Sequence, residues 1–284
     1  MTPLDNRRKP EWLKIALPKG ESALGVLAAV RDNGLHTICV SGRCPNRGEC
    51  WGRGTATFMI GGDVCTRACR FCNVKRGRPA PLDPSEPGRV ARSARDLRLR
   101  HVVITSVDRD DLPDLGAAHW ARVIRAVKEA NPDATMEALV PDFQGREELV
   151  NAVIEAAPEV LSHNLETVPR LSREIRGRAT PEISLAVLRQ VAASGLVAKT
   201  SLMVGLGETP DEVLLTMREA REAGCDVIAI GQYLQPSPRN VPVKEYITPE
   251  QFEAYRLAGL DMGFRQVESA PLVRSSYRAE KHVG

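Results

Sequence analysis

The sequence predicts a parallel α/β fold arranged as a partial barrel of six strand–helix units. Three observations carry this. From residue 55 onward, short apolar runs rich in β-branched residues alternate with longer stretches of helical periodicity. Several helical stretches open with a capping residue before proline, the signature of a helix start. Polar residues collect just after each apolar run, at the carboxyl ends where parallel α/β folds place their chemistry.

The elements follow in order. Residues 1–20 read as an extended arm, 21–33 as a helix ending at Gly34, and 35–54 as a loop rich in Gly, Pro, Asn and Arg. The strand-type runs are 55–60, 101–105, 135–140, 160–164, 198–204 and 226–231. Helical patterns fall at about 87–98, 116–131, 145–157, 181–194, 210–224 and 249–262. Thr180-Pro181-Glu182, Thr209-Pro210-Asp211-Glu212 and Thr248-Pro249-Glu250 mark three helix starts. Alternation of this kind implies parallel pairing through right-handed crossovers. Six units suit an open or partial barrel better than the closed eight-stranded form, and a doubly wound sheet is the competing arrangement.

The chain has 284 residues, which suits one large α/β domain. A net charge of +3 is too small to argue for nucleic-acid binding. The start, Met-Thr-Pro-Leu-Asp, has no apolar core segment, and no run of 18 apolar residues occurs, so a cytoplasmic protein with no membrane partner is expected. Three basic clusters stand out. Arg7-Arg8-Lys9 and the stretch from Arg92 to Arg100 read as solvated surface. Lys75-Arg76-Gly77-Arg78 directly follows a cysteine triplet and can face an anionic cofactor or partner.

Six of the seven cysteines lie between residues 39 and 72, in two sets of three. Cys65, Cys69 and Cys72 have the spacing C-x3-C-x2-C; Cys39, Cys44 and Cys50 have C-x4-C-x5-C. In a reducing compartment such crowding favours metal over disulfide. Zinc sites show paired C-x2-C knuckles, and ferredoxin-type spacing supplies four cysteines. Neither pattern is present. Three thiolates holding a [4Fe-4S] cluster leave one iron open to a small chelating ligand. Cys225 stands alone before an apolar run and reads as a small buried hydrophobe.

C-x3-C-x2-C after the first strand of an α/β barrel, with Phe71 before the last cysteine, resembles the radical S-adenosylmethionine (SAM) superfamily. The resemblance sharpens over residues 35–280. Cys39-Val40-Ser41-Gly42-Arg43-Cys44-Pro45-Asn46-Arg47-Gly48-Glu49-Cys50-Trp51, the segment Thr105 to Leu112, His163-Asn164-Leu165-Glu166-Thr167-Val168, Ser201 to Glu208 and Val273-Arg274-Ser275-Ser276-Tyr277 together resemble the lipoyl synthase family. That resemblance implies a partial (β/α)6 TIM-type barrel of the radical SAM kind over 55–245. An N-terminal extension, 1–54, and a C-terminal one, 246–284, would hold a second cluster.

The resemblance also implies the chemistry. Cys65, Cys69 and Cys72 would bind a [4Fe-4S] cluster chelated by SAM. Cys39, Cys44 and Cys50 would bind an auxiliary [4Fe-4S] cluster that donates sulfur, with Ser275 or Ser276 as fourth ligand. A serine oxygen suits a cluster meant to come apart, because it is a harder ligand than thiolate and leaves on protonation. Two sulfurs would be inserted at carbons 6 and 8 of an octanoyl-lysyl group on a carrier protein, either a lipoyl domain or the glycine-cleavage H protein. The electron donor would be a flavodoxin or ferredoxin. Chemical need then proposes SAM contacts: Asn164 and Glu166 for the ribose hydroxyls, Lys199 or Arg218 for the methionyl carboxylate, Ser201 for a further hydrogen bond, and Asp108 for the amine. Gly205-Leu206-Gly207 can let backbone approach the adenine. Ile104, Leu139, Met203 and Val204 fit an octanoyl channel and equally a barrel core. The rival readings are another radical SAM sulfur inserter or methylthiotransferase, which lack Arg-Ser-Ser-Tyr, and a non-catalytic iron-sulfur or zinc module.

Overall fold

The computed structural model describes residues 9–14, 33–52 and 57–283. The expected helix over 21–33 and most of the expected arm lie outside these, except that Asn33 stands in a turn. Residues 35–54 are expected to form a loop, and their described part is instead structured. Strand β1 (His36–Thr37) leads into two short helices, α1 (Ile38–Ser41) and α2 (Arg47–Gly52). Thr37 starts α1 by accepting from the Val40 amide, the capping chemistry of a short hydroxyl side chain.

Six strands appear where the periodicity places them. They are β2 (Thr57–Ile60), β5 (His101–Ser106), β6 (Thr135–Leu139), β7 (Val160–Ser162), β8 (Val197–Val204) and β9 (Val227–Gln232). Short β3 (Val64–Cys65) and β4 (Lys75–Arg76) pair with each other beside the second cysteine triplet. Helices α3 (Glu86–Asp96), α4 (Ala117–Ala130), α5 (Glu147–Ile154), α7 (Pro181–Ala193), α8 (Pro210–Glu222) and α9 (Pro249–Asp261) fill the expected positions. The side chains of Thr180, Thr209 and Thr248 cap the last three.

Two more elements join the barrel itself. Helix α6 (Pro169–Arg176) follows β7, with proline at its first position. Strand β10 (Gln266–Ser269) follows α9 and pairs parallel with β9. The sheet order is β1-β2-β5-β6-β7-β8-β9-β10, with β1 antiparallel and the rest parallel. Six parallel strands are expected, and among the described residues this sheet has seven. The order follows the chain without reversal, so the sheet winds in one direction and the doubly wound alternative is excluded.

One line of pairing crosses all seven parallel strands: Met59, Thr105, Leu139, Ser162, Lys199, Val227 and Gln266. It enters near the end of β2 and leaves at the first residue of β9 and β10. This stagger is the tilt of strands in a barrel. The barrel is not closed, because β1 and β10 remain edges among the described residues. The chain beyond β10 spans the gap. Asn46 Nδ2 donates to the Leu272 carbonyl at 2.6 Å, and Tyr277 Oη donates to Glu49 at 3.1 Å. Gly231 lets this segment pass, since a Cβ there would overlap the Val273 carbonyl oxygen.

Alternation decides which face of each strand is core. Val102 and Ile104 of β5 join Met136, Ala138 and the faces of α3, α4 and α5 in one apolar cluster. Leu202 and Val204 of β8 join α6, α7, α8 and α9 in another. Ile104 and Val204 therefore pack toward the helices and leave the expected channel lining, while Leu139 and Met203 lie on the opposite face of their strands. Cys225 is fully buried in the second cluster, as a small hydrophobe. No helix among the described residues is long and apolar enough to cross a membrane.

Lys199 and Glu137 form an ion pair inside the barrel, both 0% exposed, at 2.6 Å. Ser162 Oγ donates to the other Glu137 oxygen at 2.6 Å. Burial alone would raise the Glu137 carboxyl, but the Lys199 ammonium and these hydrogen bonds hold it well below the usual range. Removing one member of a buried pair strands the other charge at a cost of about 3–5 kcal/mol, whereas replacing both with apolar residues is far less costly. Lys199→Met should therefore destabilise the chain by about that amount in urea unfolding, and adding Glu137→Leu should restore most of it.

Candidate active site

The second cysteine triplet sits at the carboxyl end of β2. The chain turns through Gly61 and Gly62, both at positive φ (78° and 99°), and enters β3 at Val64. Thr66 ties the loop to the end of β5: its amide and hydroxyl both donate to the Asp108 carbonyl, at 3.1 and 3.0 Å. At the far end of the loop, the Arg70 amide donates to the Ile175 carbonyl of α6 at 2.8 Å, and Asn240 Nδ2 donates to the Cys72 carbonyl at 2.9 Å.

The strongest anchor is Arg67, whose side chain is 6% exposed. Its Nη1 and Nη2 donate to the two Asp142 oxygens at 2.8 and 2.7 Å. Its Nε and Nη2 donate to Asp110 at 2.9 and 3.0 Å. Asp108 adds a third carboxylate 3.2 Å from Nε. Two bidentate contacts use the planar fork that distinguishes arginine from lysine. Asp108 and Asp110 follow β5 and Asp142 follows β6, so one guanidinium gathers two strand ends and the cysteine loop. Arg109 pairs with Asp111 at 2.9 Å and donates to the Gly61 carbonyl at 3.2 Å, bracing the same turn.

The three thiols are free, and the amides of Arg67 and Asp108 donate to Cys65 Sγ at 3.4 and 3.3 Å. The Val74 amide does the same for Cys72 at 3.5 Å. Burial first, and then the Asp108 charge, push Cys65 up to about 11 and Cys69 up to about 12; Cys72 is raised for the same first reason. Burial also lifts Asp108 to about 6 against the pull of Arg67. Only a bound cationic centre would turn such thiols into ligating thiolates, and the N–H groups directed at sulfur would then stabilise them. Among the described residues no three His, Cys, Asp or Glu side chains meet at single-ion spacing. The thiols around a four-iron cube stand farther apart than those around one ion. Three cysteines in one loop are a donor set that fits an iron-sulfur cluster with one iron left open.

His163-Asn164-Leu165-Glu166 closes β7. His163 is buried, its two ring nitrogens within 3.0 Å of the Val140 carbonyl and Ser184 Oγ. Burial and the Arg176 charge push His163 down to about 4, so it is neutral and structural. Glu166 stands at φ 67°, fixed by its amide on the Ser201 carbonyl and its carbonyl on the Met203 amide, at 3.0 and 2.8 Å. Burial raises its carboxyl, while Arg176 and Asn164 pull the other way. The Arg176 carbonyl lies 3.3 Å from Cys69 Sγ. Gly205-Leu206-Gly207 is a loop held by Glu208, which accepts from the Gly205 and Leu206 amides.

The first triplet forms a separate pocket at the gap in the barrel. Cys39, Cys44 and Cys50 line it with Asn46, Arg47, Thr57, Arg274, Ser276 and Tyr277. Cys44 is raised by burial and by Cys39, and the Arg274 charge opposes this. Thr57 Oγ1 donates to Ser276 Oγ at 3.0 Å. Ser275 turns the other way and donates to Asn164 Oδ1 at 3.1 Å. Three thiols converge on this pocket with the hydroxyls of Thr57, Ser276 and Tyr277, and three thiols with one oxygen ligand would fit a second cluster.

Residues 59–231 match the Radical SAM superfamily. Proteins named lipoyl synthase from Parabacteroides distasonis and Treponema denticola are 61% and 60% identical to this chain. The matches span 97% and 98% of this chain and 98% and 96% of theirs. The chain belongs to the lipoyl synthase family. Its fold is shared with more distant enzymes. Streptococcus suis SuiB bound to S-adenosylmethionine superposes with a TM-score of 0.61 at 12% identity, over 80% of this chain and 55% of that one. Methylornithine synthase (PylB) gives 0.56 at 13% identity, over 92% of this chain and 88% of that one.

In this chain the structure brings Cys65, Cys69, Cys72, Asp108, Asn164 and Glu166 to one end of the barrel. Ser201 is buried one pleat beyond Lys199 on the same face of β8. Lys199 itself is engaged with Glu137, and Arg218 is exposed on α8. Neither stands beside Glu166. Arg176 does: it is 5% exposed, donates to Ser184 Oγ at 2.9 Å, and has Glu166 and Asp142 as acidic neighbours. It is one of four arginines between 170 and 178, and nothing in that run marks which one turns inward. Arg67 was equally hidden, because its three carboxylates lie 41 to 75 positions away.

Arg67→Gln would leave three carboxylates without their counter-charge. It should cost about 3–5 kcal/mol in urea unfolding, as loss of one partner of a buried ion pair does. Iron per chain after anaerobic reconstitution should fall by about four, one cluster's content.

Proposed function

We propose that the chain inserts two sulfur atoms, at carbons 6 and 8, into an octanoyl-lysyl group on a lipoyl carrier protein, using two [4Fe-4S] clusters. Cys65, Cys69 and Cys72 hold the cluster that SAM chelates. Cys39, Cys44, Cys50 and Ser276 hold the auxiliary one. The observation that carries this is the second pocket, where three cysteines from the N-terminal segment meet a serine of the C-terminal segment across the barrel gap. When bound, the first cluster would supply the electron that releases a 5′-deoxyadenosyl radical from SAM, and the second the sulfur.

The chain's own residues bind, orient and exclude water. Asn164 and Glu166 face the ribose hydroxyls, Asp108 the methionyl amine and Arg176 the methionyl carboxylate. Ser201 adds a hydrogen bond from β8. Leu139 and Met203 are on the barrel-lining face for an acyl chain, below which the Glu137–Lys199 pair fills the barrel. Ser276 is favoured over Ser275 because it lines the cysteine pocket. Thr57 already donates to its oxygen, so an ionised Ser276 would be stabilised there. Residues 1–54 and 246–284 are the extensions of the 55–245 barrel; of them, residues between 39 and 50 and between 274 and 277 line this pocket, and β10 of the second extension joins the barrel sheet.

The carrier is a lipoyl domain or the glycine-cleavage H protein, and a flavodoxin or ferredoxin supplies electrons. Lys75, Arg76 and Arg78 are exposed beside the cysteine loop and suit an acidic carrier surface. Reversing these three charges should lower kcat/KM on whole carrier and spare an octanoyl-lysyl peptide; equal loss on both removes the docking role.

The central test uses anaerobically reconstituted enzyme with SAM, a strong reductant and an octanoyl-lysyl peptide, read by mass. The peptide should gain two sulfurs. Cys44→Ala and Ser276→Ala should abolish the gain while SAM cleavage continues. SAM cleavage without sulfur gain in the native enzyme would reject the substrate.

A further inference from the structure

The two serines of Arg274-Ser275-Ser276-Tyr277 face different sites. Ser276 Oγ accepts from Thr57 in the cysteine pocket. Ser275 Oγ donates to Asn164 Oδ1 at 3.1 Å, across 111 positions of sequence. Asn164 Nδ2 in turn donates to Glu166 Oε1 at 3.1 Å. The amide is thus fixed in one orientation. Flipping it would set its oxygen against the Glu166 carboxylate, two acceptors with no proton between them. Glu166 neighbours Cys69 and Cys72 electrostatically. An unbroken line of hydrogen bonds therefore joins the C-terminal segment at one cysteine pocket to the carboxylate beside the other.

We propose that Ser275 is a positioning residue that couples the seating of the C-terminal segment at the auxiliary pocket to SAM binding, by orienting Asn164 and Glu166. This rests on the reading of Asn164 and Glu166 as SAM contacts. The physical logic is linkage. Seating Ser276 brings Ser275 onto Asn164, which presents its N–H to Glu166 and leaves the second carboxylate oxygen for a ligand hydroxyl. A C-terminal segment that left the pocket would release the amide and weaken SAM binding. Coupling of this kind is reciprocal. In a reaction that needs SAM twice while the auxiliary cluster is consumed, such a link would make SAM affinity report the state of the sulfur donor.

The test measures iron per chain and the equilibrium dissociation constant for SAM on the reconstituted, unreduced enzyme. Ser275→Ala should keep the native iron content and weaken SAM roughly three- to tenfold, the scale of one net hydrogen bond. Ser275→Thr, which keeps the hydroxyl, should restore the affinity. Asn164→Ala should weaken SAM at least as much, and the double variant no further than Asn164→Ala alone. If Asn164→Ala weakens SAM but Ser275→Ala does not, the coupling is overturned and the SAM site stands. If Asn164→Ala leaves SAM binding unchanged, the SAM-contact reading falls, and the coupling with it. Loss of iron in Ser275→Ala would instead make Ser275 a cluster ligand and overturn the proposal.

Discussion

One buried guanidinium organises the catalytic end of this barrel. Arg67 lies inside the cysteine loop and binds carboxylates from the ends of two strands. Charge-assisted bidentate bonds in a desolvated setting are strong and directional, and they oppose the cost of burying four ionised groups only when the geometry is good. Here it is good: four hydrogen bonds lie between 2.7 and 3.0 Å. A loop with three cysteines has no core of its own. Arg67 lets β5 and β6 set its position, so thiol placement inherits the rigidity of the sheet.

The second constraint is the open edge of the sheet. A barrel that stops short of closure exposes two edges, and something must cover them. The chain uses both of its ends. The segment with Cys39, Cys44 and Cys50 follows β1 on one side, and Arg274 to Tyr277 follows β10 on the other. Their contact closes the gap and forms the pocket in the same act. The two cysteine loops also touch directly, since Asn73 Nδ2 donates to the Ser41 carbonyl at 2.9 Å. Bridging of the gap and the three-cysteine pocket are one feature of the fold.

Much of this was legible along the chain. Periodicity placed the strands because β-branched runs and capped, proline-started helices are local signals. Cysteine spacing marked two sets of three thiols because residues a few positions apart in a loop can converge on one pocket. β10 escaped notice because Gln266-Val267-Glu268-Ser269 is short and polar, and becomes a strand through β9 beside it. α6 hid behind arginines, because Pro169 begins it but Val168 before it offers no capping side chain.

The sequence alone carried the alternation of strands and helices, the two cysteine sets and the chemistry they imply, because each is written in neighbouring residues; the strand order that excludes a doubly wound sheet came from the fold. Tertiary structure alone decided the long-range choices. It turned Ser276 toward the cysteines and Ser275 toward Asn164, gave the inward cation's place to Arg176, and committed Lys199 to Glu137. Adjacent serines and clustered arginines are chemically alike. Only the packing of segments distant in sequence can tell one from the next.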